Sequence, residues 1–511
     1  MKNLVIFHYH LLPGGVTNVI YLSSIAMIEN IPGIEELILV CGRKENSDAV
    51  RRKIINALPD YKGSVKIEIL EEIDYLMEDL EIDQGKLRSR LLDRYSGKMW
   101  IIHNYHLGKN PIFTDILLQI AKEIPDQKMI FYIHDFPECS RYANLQFLRK
   151  HAAGPFYPVL PNIRYLVINA RDRKLLVESG LPEPVVFLVH NPVEKNDGPH
   201  MRGDELRARL AFFNGKEYGE FHPELPVALY PVRAIRRKNV LESALLCLLS
   251  ESELNLIVTL PGVSLPERSY SELTRSVFFD NIIPGLWGIG EVLDQAGLTY
   301  RELLAGSDIV VSSSVQEGFG YLFIDSLQFA RPLFAKYLDI LEGFKSAFPD
   351  QGTYFYDFAR VPLSKDEIKK IAGQYKARIN ALASFLAPEI INGLLKETDE
   401  LCGGDFIDFS FLSKENQYYI LRKTRDSKVY RDELRQANKT ILKKFDSILK
   451  SGMPPVDSDG KFSFVHYAQG IADIEQSFYD DIQTHAIEGN KVQENLIKKF
   501  ASLEYLRLIY K

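Results

Sequence analysis

Glu317-Gly318-Phe319-Gly320, with Asp325 eight residues after the glutamate, sets two acids around a glycine-rich turn. Asp308-Ile309-Val310-Val311-Ser312-Ser313, just before it, reads as a buried strand, and Tyr321 to Ala330 as a helix closed by Arg331-Pro332. A helix start behind a strand offers unpaired N–H groups and partial positive charge, which suits an anion. The glycines let a ligand approach the backbone closely. The acids cannot serve a phosphate, but they can accept hydrogen bonds from hydroxyl groups. A ligand with phosphates in the middle and hydroxyls at both ends fits, and a sugar nucleotide has that form.

A second cluster is Tyr230-Pro231-Val232-Arg233-Ala234-Ile235-Arg236-Arg237-Lys238-Asn239, which follows another apolar strand pattern. A planar guanidinium can hold phosphate oxygens two at a time, while lysine supplies a compact charge. Arg233 and Lys238 are the candidates here; Arg236 and Arg237 read as a solvated face. Pro13-Gly14-Gly15-Val16 opens a helix after the first strand and could admit a diphosphate to the backbone. In open α/β sheets ligands bind beyond the carboxyl ends of strands. Those ends carry His8 and His10, His103 and Asn104, His134 and Asp135, Asn169, and Asn191, a polar floor for a crevice. Asp457-Ser458-Asp459 spells an Asp-x-Asp metal motif, but in a Pro/Gly-flanked stretch it reads as turn chemistry. His8-Tyr9-His10 lacks a third ligand nearby in sequence. No metal is expected.

The segment Ser312 to Ala335 resembles the donor region of retaining GT-B glycosyltransferases, family 4 in particular. The resemblance implies that Glu317 contacts the transferred sugar, and that the turn Gly318-Phe319-Gly320 lies along the sugar and diphosphate. It puts Asp325, where the family usually has glutamate, on the ribose. It assigns the diphosphate to Arg233 and Lys238, with Asn239 in place of the commoner glycine, and gives Gly14-Gly15 the family's first loop. His134, in Tyr132-Ile133-His134-Asp135, matches the family's His-Asp pair and would reach the sugar near the reaction centre. The implied catalytic set is Glu317, His134, Arg233 and Lys238. The implied reaction moves a hexosyl unit from a nucleoside diphosphate sugar to an acceptor hydroxyl by same-face attack, with retention and without metal or cofactor. The leaving diphosphate takes the acceptor's proton.

The elements that must hold these residues alternate through the chain. Apolar runs at 3–8, 37–41, 65–70, 99–103, 129–134, 165–169 and 185–189 read as strands, and so do 227–231, 255–260, 277–283, 308–313, 333–336 and 353–356. The expected fold is α/β: two Rossmann-like domains facing across a crevice, 1–205 on the acceptor side and 220–365 on the donor side. Residues 194–226 suit a junction. A helical extension, 366–511, follows, with helices at 365–398, 411–450 and 465–511; oligomer formation through it stays open.

The composition fits a soluble globular chain of 511 residues, 46% hydrophobic and 25% charged. A net charge of −6 gives no bulk attraction to nucleic acid. Four scattered cysteines favour a reducing, cytoplasmic setting over a disulfide framework or zinc site. No run of 18 apolar residues spans a membrane, although basic stretches at 86–94 and 428–450 leave peripheral lipid contact open. The partners expected are a nucleotide sugar and an acceptor that is a sugar, a small polyol or a lipid-linked glycan. Alternative readings are a phosphorylase with lysine-bound pyridoxal phosphate, a sugar-nucleotide epimerase, or a non-catalytic partner of another transferase. Donor base, hexose and acceptor are not legible.

Overall fold

The computed structural model describes residues 2–76, 81–195, 201–215, 217–344, 347–348, 351–451, 460–480 and 490–510. The expected turns at 197–199 and 452–459, including Asp457-Ser458-Asp459, lie outside the described residues.

The first sheet contains β1 (Asn3–Phe7), β2 (Glu36–Cys41), β3 (Ser64–Ile69), β4 (Met99–His103), β5 (Met129–Ile133), β6 (Ile163–Val167) and β7 (Val186–Leu188). All are parallel, in the order β3-β2-β1-β4-β5-β6-β7. Val5 lies opposite Ile38 on one side and Trp100 on the other. Every residue of β4, β5 and β6 is buried. β4 and β5 therefore read as near-continuous apolar runs, as strands covered on both faces do, while β6 carries one buried arginine, Arg164.

The second sheet contains β8 (Val227–Arg233), β9 (Asn255–Leu260), β10 (Gly285–Trp287), β11 (Ile309–Ser312), β12 (Leu333–Lys336) and β13 (Phe355–Tyr356). They are again parallel, in the order β10-β9-β8-β11-β12-β13. The strand expected at 277–283 is not one. Val277 and Phe278 end the helix Leu265–Phe279 with their side chains in the core, and the strand starts at Gly285. There φ is +145° and a Cβ would come within 1.9 Å of the Leu256 carbonyl oxygen, so only glycine fits. A short antiparallel pair, β14 (Arg360–Pro362) with β15 (Phe406–Asp408), had no signal in the sequence.

The α/β class with two Rossmann-like sheets, as the GT-B resemblance implies, is therefore present. The chain forms two compact units, 1–195 with 459–501, and 196–458 with 502–511. The stretch expected as one extension from 366 is thus shared between them. In the first unit, helix Phe464–Ser477 packs on helix Gly15–Asn30, and the Arg164 guanidinium donates to Ser477 Oγ at 2.9 Å and to its carbonyl at 2.6 Å. In the second unit, the Leu503 N–H donates to Glu397 at 2.8 Å and Arg236 Nη1 to the Tyr510 carbonyl at 2.5 Å. No helix among the described residues is long and apolar enough to cross a membrane.

Each sheet order has one place where the chain's progression reverses. It falls between β1 and β4 in the first sheet and between β8 and β11 in the second. Loops leaving adjacent strands in opposite directions open a crevice at such a point. His8, His10, Gly14 and Gly15, His103 and Asn104, Arg233 and Lys238, and Glu317 to Gly320 sit on these four loops or at the strand ends that open them, whereas His134 and Asp135 follow β5 and Asp325 lies in the helix Tyr321–Gln328.

Candidate functional site

In the second unit β8 ends in a short 3-10 turn, Arg236–Lys238, from which helix Val240–Leu249 begins. Asn239, between them, has φ +47° and is fully buried. This left-handed position favours glycine, and asparagine is among the residues that tolerate it. Its side chain explains why asparagine stands here: Nδ2 donates to Glu242 at 2.7 Å and Oδ1 accepts from Gln417 at 3.0 Å. Glu242 in turn accepts from Lys336 at 3.0 Å, and Lys336 also donates to Asp408 at 2.8 Å. A buried polar network thus fixes the turn.

The loop after β11 clamps the same turn. Ser313 Oγ donates to the Asn239 carbonyl at 2.7 Å, the Val315 N–H to the Arg237 carbonyl at 2.9 Å, and the Tyr230 hydroxyl to the Lys238 carbonyl at 2.7 Å. Lys238 and Glu317 come together as a direct ion pair, with side chains 16% and 13% exposed. Ser314 Oγ donates to the same carboxylate at 2.6 Å, and Arg237 Nη1 lies 3.3 Å from its other oxygen. Burial would raise the Glu317 pKa, but Lys238 and Arg237 outweigh it and hold the carboxyl below its ordinary value. Burial lowers that of Lys238, with Glu317 opposing. One N–H of the ammonium is taken by Glu317, and two more remain for a ligand.

Helix Tyr321–Gln328 starts at Gly320, whose φ is +88°. A Cβ there would meet Phe323 at 2.8 Å. No side chain caps this helix and its first turn carries no acid, an arrangement that leaves its positive end unopposed from within the helix. Phe319 is buried against Tyr321, ring centroids 4.8 Å apart. Asp325 lies one turn on and accepts from the Tyr300 hydroxyl at 3.1 Å. Burial pushes its carboxyl up to about 6, against the Tyr300 hydrogen bond and Arg301. Arg233 ends β8 with an exposed side chain that bonds to no described residue. It does not join the Lys238–Glu317 pair.

Arg236 and Arg237 are not the solvated face expected of them. Arg237 reaches Glu317, and Arg236 is held by the carbonyls of Tyr510 and Pro266. Ser314, Tyr300 and Tyr510 had not been singled out. The run Ser312-Ser313-Ser314 beyond a buried strand was the available signal for the first, since hydroxyls there must find partners. Tyr300 and Tyr510 offered none.

In the first unit, His8 and His10 follow β1, His103 ends β4 and His134 follows β5. His134 Nε2 and His103 Nδ1 are 2.8 Å apart, and the His134 N–H donates to Asn104 Oδ1 at 2.9 Å. His8 stands edge-on to His103, 6.1 Å between centroids. Burial lowers all of them: His8 to about 3, His134 to about 4, and His103 well below the ordinary value. They form a neutral imidazole cluster suited to hydroxyl groups. Of the Asn residues at other strand ends, Asn191 accepts from the Tyr132 hydroxyl at 2.7 Å and Asn169 caps the helix Ala170–Glu178. Gly14 and Gly15 begin helix Gly15–Asn30 without a side-chain cap. Space beyond Gly15 is open, with nothing within 4 Å of where its Cβ would stand. Among the described residues no group of three or more His, Cys, Asp or Glu is arranged to hold a metal ion.

No protein-family model matches the sequence. Similar solved structures include Anabaena Alr3699/HepE in complex with UDP-glucose, with TM-score 0.49 and 14% identity over 93% of this chain and 100% of that one. A glycosyltransferase from Rickettsia africae gives TM-score 0.46 and 14% identity over 88% of this chain and 99% of that one. Mannosylglucosyl-3-phosphoglycerate synthase of Petrotoga mobilis is 30% identical over 543 aligned residues, covering 100% of both chains. With that likeness running from end to end, the chain belongs to the mannosylglucosyl-3-phosphoglycerate synthase family and is a glycosyltransferase.

Proposed function

We propose that this enzyme transfers a hexosyl unit, mannosyl by the name of its relative, from a nucleoside diphosphate sugar to a glucosyl-3-phosphoglycerate acceptor. The observation that carries the donor reading is the Lys238–Glu317 pair, flanked by Arg237, at the reversal point between β8 and β11. In this reading the pair offers a carboxylate for hydroxyls beside cations for phosphate, on two loops hydrogen-bonded to each other. The uncapped N-terminus at Gly320 adds N–H groups for the same ligand.

In this reading Lys238 and Arg233 bind the diphosphate and stabilise the charge that grows on it as the glycosidic bond breaks, where preorganised electrostatics help most. Arg237 shares that task. Glu317, kept ionised by its neighbours, orients the sugar hydroxyls and supports positive character at the ring. Asp325 accepts from the ribose. Gly14, Gly15 and the turn Gly318-Phe319-Gly320 offer backbone to the donor, and neutral His134 contacts the sugar. The cations and the helix terminus together can neutralise a diphosphate, so the mechanism we propose is metal-independent. Attack and departure on one face leave the configuration retained.

The test is transfer by the purified full chain, with GDP-, UDP- and ADP-linked mannose and glucose, on glucosyl-3-phosphoglycerate, in chelator. A product whose new linkage matches the donor's anomeric configuration by NMR is the expected result. Hydrolysis or epimerisation without transfer, or dependence on added Mg²⁺, would overturn the corresponding part.

A further inference from the structure

The donor reading leaves unused a group of cations at the carboxyl edge of the first sheet. Lys109 follows β4; its ammonium stands over the Tyr75 ring, 5.1 Å from the centroid, and meets no carboxylate among the described residues. Arg141 and Arg43 complete the group. Each is already matched by one acid, Arg141 by Asp135 at 3.2 Å and Arg43 by Asp74 at 2.5 Å. Arg43 also feels Glu45, and the cation of the group left without a carboxylate partner among the described residues is the half-buried Lys109. Burial and then the like charge of Arg141 both lower the Lys109 pKa, so the two cations sit close enough to repel.

The frame under this cluster is built. Asn110 Nδ2 donates to the Glu72 and Asp74 carbonyls at 2.8 and 2.7 Å, and the Leu76 N–H to the Lys109 carbonyl at 2.8 Å. Gly108, at φ +65°, lets the chain pass so near Asn144 that a Cβ would lie 2.2 Å from its carbonyl oxygen. Residues 72–76, the loop after β4 and the helix Tyr142–His151 are tied together by these contacts without a ligand, which reduces the ordering cost of binding. Beside them is a cavity of about 860 Å³ lined by Arg43, Lys44, Asn46, Arg52, Asp74 and Tyr75. Glu45, Asp48 and Glu71 also line it, and Lys109 stands at the Tyr75 end. From that end His10 meets Tyr75 edge-on at 4.9 Å, and His8 follows at 5.6 Å from His10. The Nδ1 atoms of both histidines are buried without a hydrogen-bond partner among the described residues.

We propose that Lys109 and Arg141, with Arg43, bind the anionic end of the acceptor beside Tyr75, and that the imidazoles of His10 and His8 receive its hydroxyls. The proposal rests on the reading of the acceptor as a phosphoglycerate glycoside. A phosphoglycerate carries a phosphate and a carboxylate, and both can engage here: Lys109 directly, the arginines by adding a second partner to a guanidinium that has donors to spare.

The experiment is calorimetric titration of the full chain with 3-phosphoglycerate, inorganic phosphate and glycerol. It is run on wild type, Lys109→Met, Arg141→Gln and the conservative Lys109→Arg. Loss of one charge-assisted contact should weaken 3-phosphoglycerate roughly 10- to 100-fold in Lys109→Met. Lys109→Arg should recover most of it, and affinity in wild type should fall with salt. Binding of phosphate as well would assign the phosphate to this cluster; binding of 3-phosphoglycerate alone would show that both anionic groups are required. Nucleotide binding, measured on the same samples, should stay unchanged and certifies the fold. Equal affinity in wild type and both charge-removing variants would overturn the site while leaving the transferase reading intact. Failure of wild type to bind any anion would also overturn it; failure to transfer from any sugar nucleotide is instead a failure of the functional reading.

Discussion

Replacing Lys238 by methionine keeps the aliphatic stem and removes the ammonium. Two losses follow. The diphosphate forfeits a charge-assisted contact worth about 1.5–3 kcal/mol. By transition-state arithmetic kcat/KM for the donor should fall roughly 10- to 150-fold. Glu317 also loses its nearest cation. A buried carboxylate stripped of its partner costs about 3–5 kcal/mol. Here Arg237 at 3.3 Å and Ser314 at 2.6 Å remain on it, which should bring the cost down to about 1–3 kcal/mol. Glu317→Gln, by contrast, leaves Lys238 unpaired but still able to meet phosphate.

The double variant separates these effects. If the two side chains act as one unit, Lys238→Met with Glu317→Gln should unfold in urea at a concentration above that expected from adding the single effects. Initial rates with the sugar nucleotide then report the catalytic loss, and thermal shifts with the nucleotide report ground-state binding. Additive stabilities would mean the ion pair has no energetic content. Turnover of Lys238→Met within twofold of wild type would remove Lys238 from the diphosphate altogether.

Other consequences are equally direct. Gly320→Ala puts a side chain at φ +88° and within 2.8 Å of Phe323; a loss of about 1–2 kcal/mol in urea unfolding and a weakened nucleotide thermal shift should follow, and a neutral result would dissociate the turn from the donor. His8, His103, His106 and His134 are all depressed by burial, His106 also to about 3. The unfolded chain therefore takes up protons below about pH 6.5 that the folded one refuses, so stability should fall with pH from about 6.5 toward 4, by about 1.4 kcal/mol per unit for each histidine. His134→Asn should flatten that slope by one proton, and an unchanged slope would show that His134 is not held neutral. Asp325, raised to about 6, has the opposite sign: its folded form binds the extra proton, so stability from this group declines as pH rises from about 4 through 6. If the ionised form receives the ribose, donor kcat/KM should rise through about pH 6, shift upward in Tyr300→Phe and lose the step in Asp325→Asn; a profile unaltered by either would refute the ribose contact.

Much of the fold was readable because parallel strands covered on both faces need unbroken apolar runs, and those of β4, β5, β8 and β9 have no other easy interpretation. The strand expected at 277–283 shows the limit of that signal, as does 353–356, whose first half ends the helix Gln351–Tyr354. Val277-Phe278 and Ile282-Ile283 are both buried, but the first pair closes a helix. An apolar run without a period cannot tell the two apart. The pair β14–β15 failed for another reason: three residues per strand carry too little pattern.

The site was legible where chemistry is local and illegible where it depends on which loops meet. Lys238 and Glu317 were each conspicuous in their own segment, but they are 79 positions apart, and only the pairing of β8 with β11 puts them in contact. Alternation of strands and helices predicts a parallel sheet without giving its order. Once the order is known, the chain's reversal between β8 and β11 makes their loops neighbours, and Arg237 must then lie beside the carboxylate. The same reversal between β1 and β4 turns scattered strand-end residues, His8, His10 and His103, into one cluster, with Lys109 at its margin. Arg141 and Tyr75, unremarkable in sequence, acquire meaning only because their loops pack onto that margin. Sheet order is thus the physical step between a list of polar residues and a site, and it explains why the motifs after β8 and β11 could be named in advance while the cations beside Tyr75 could not.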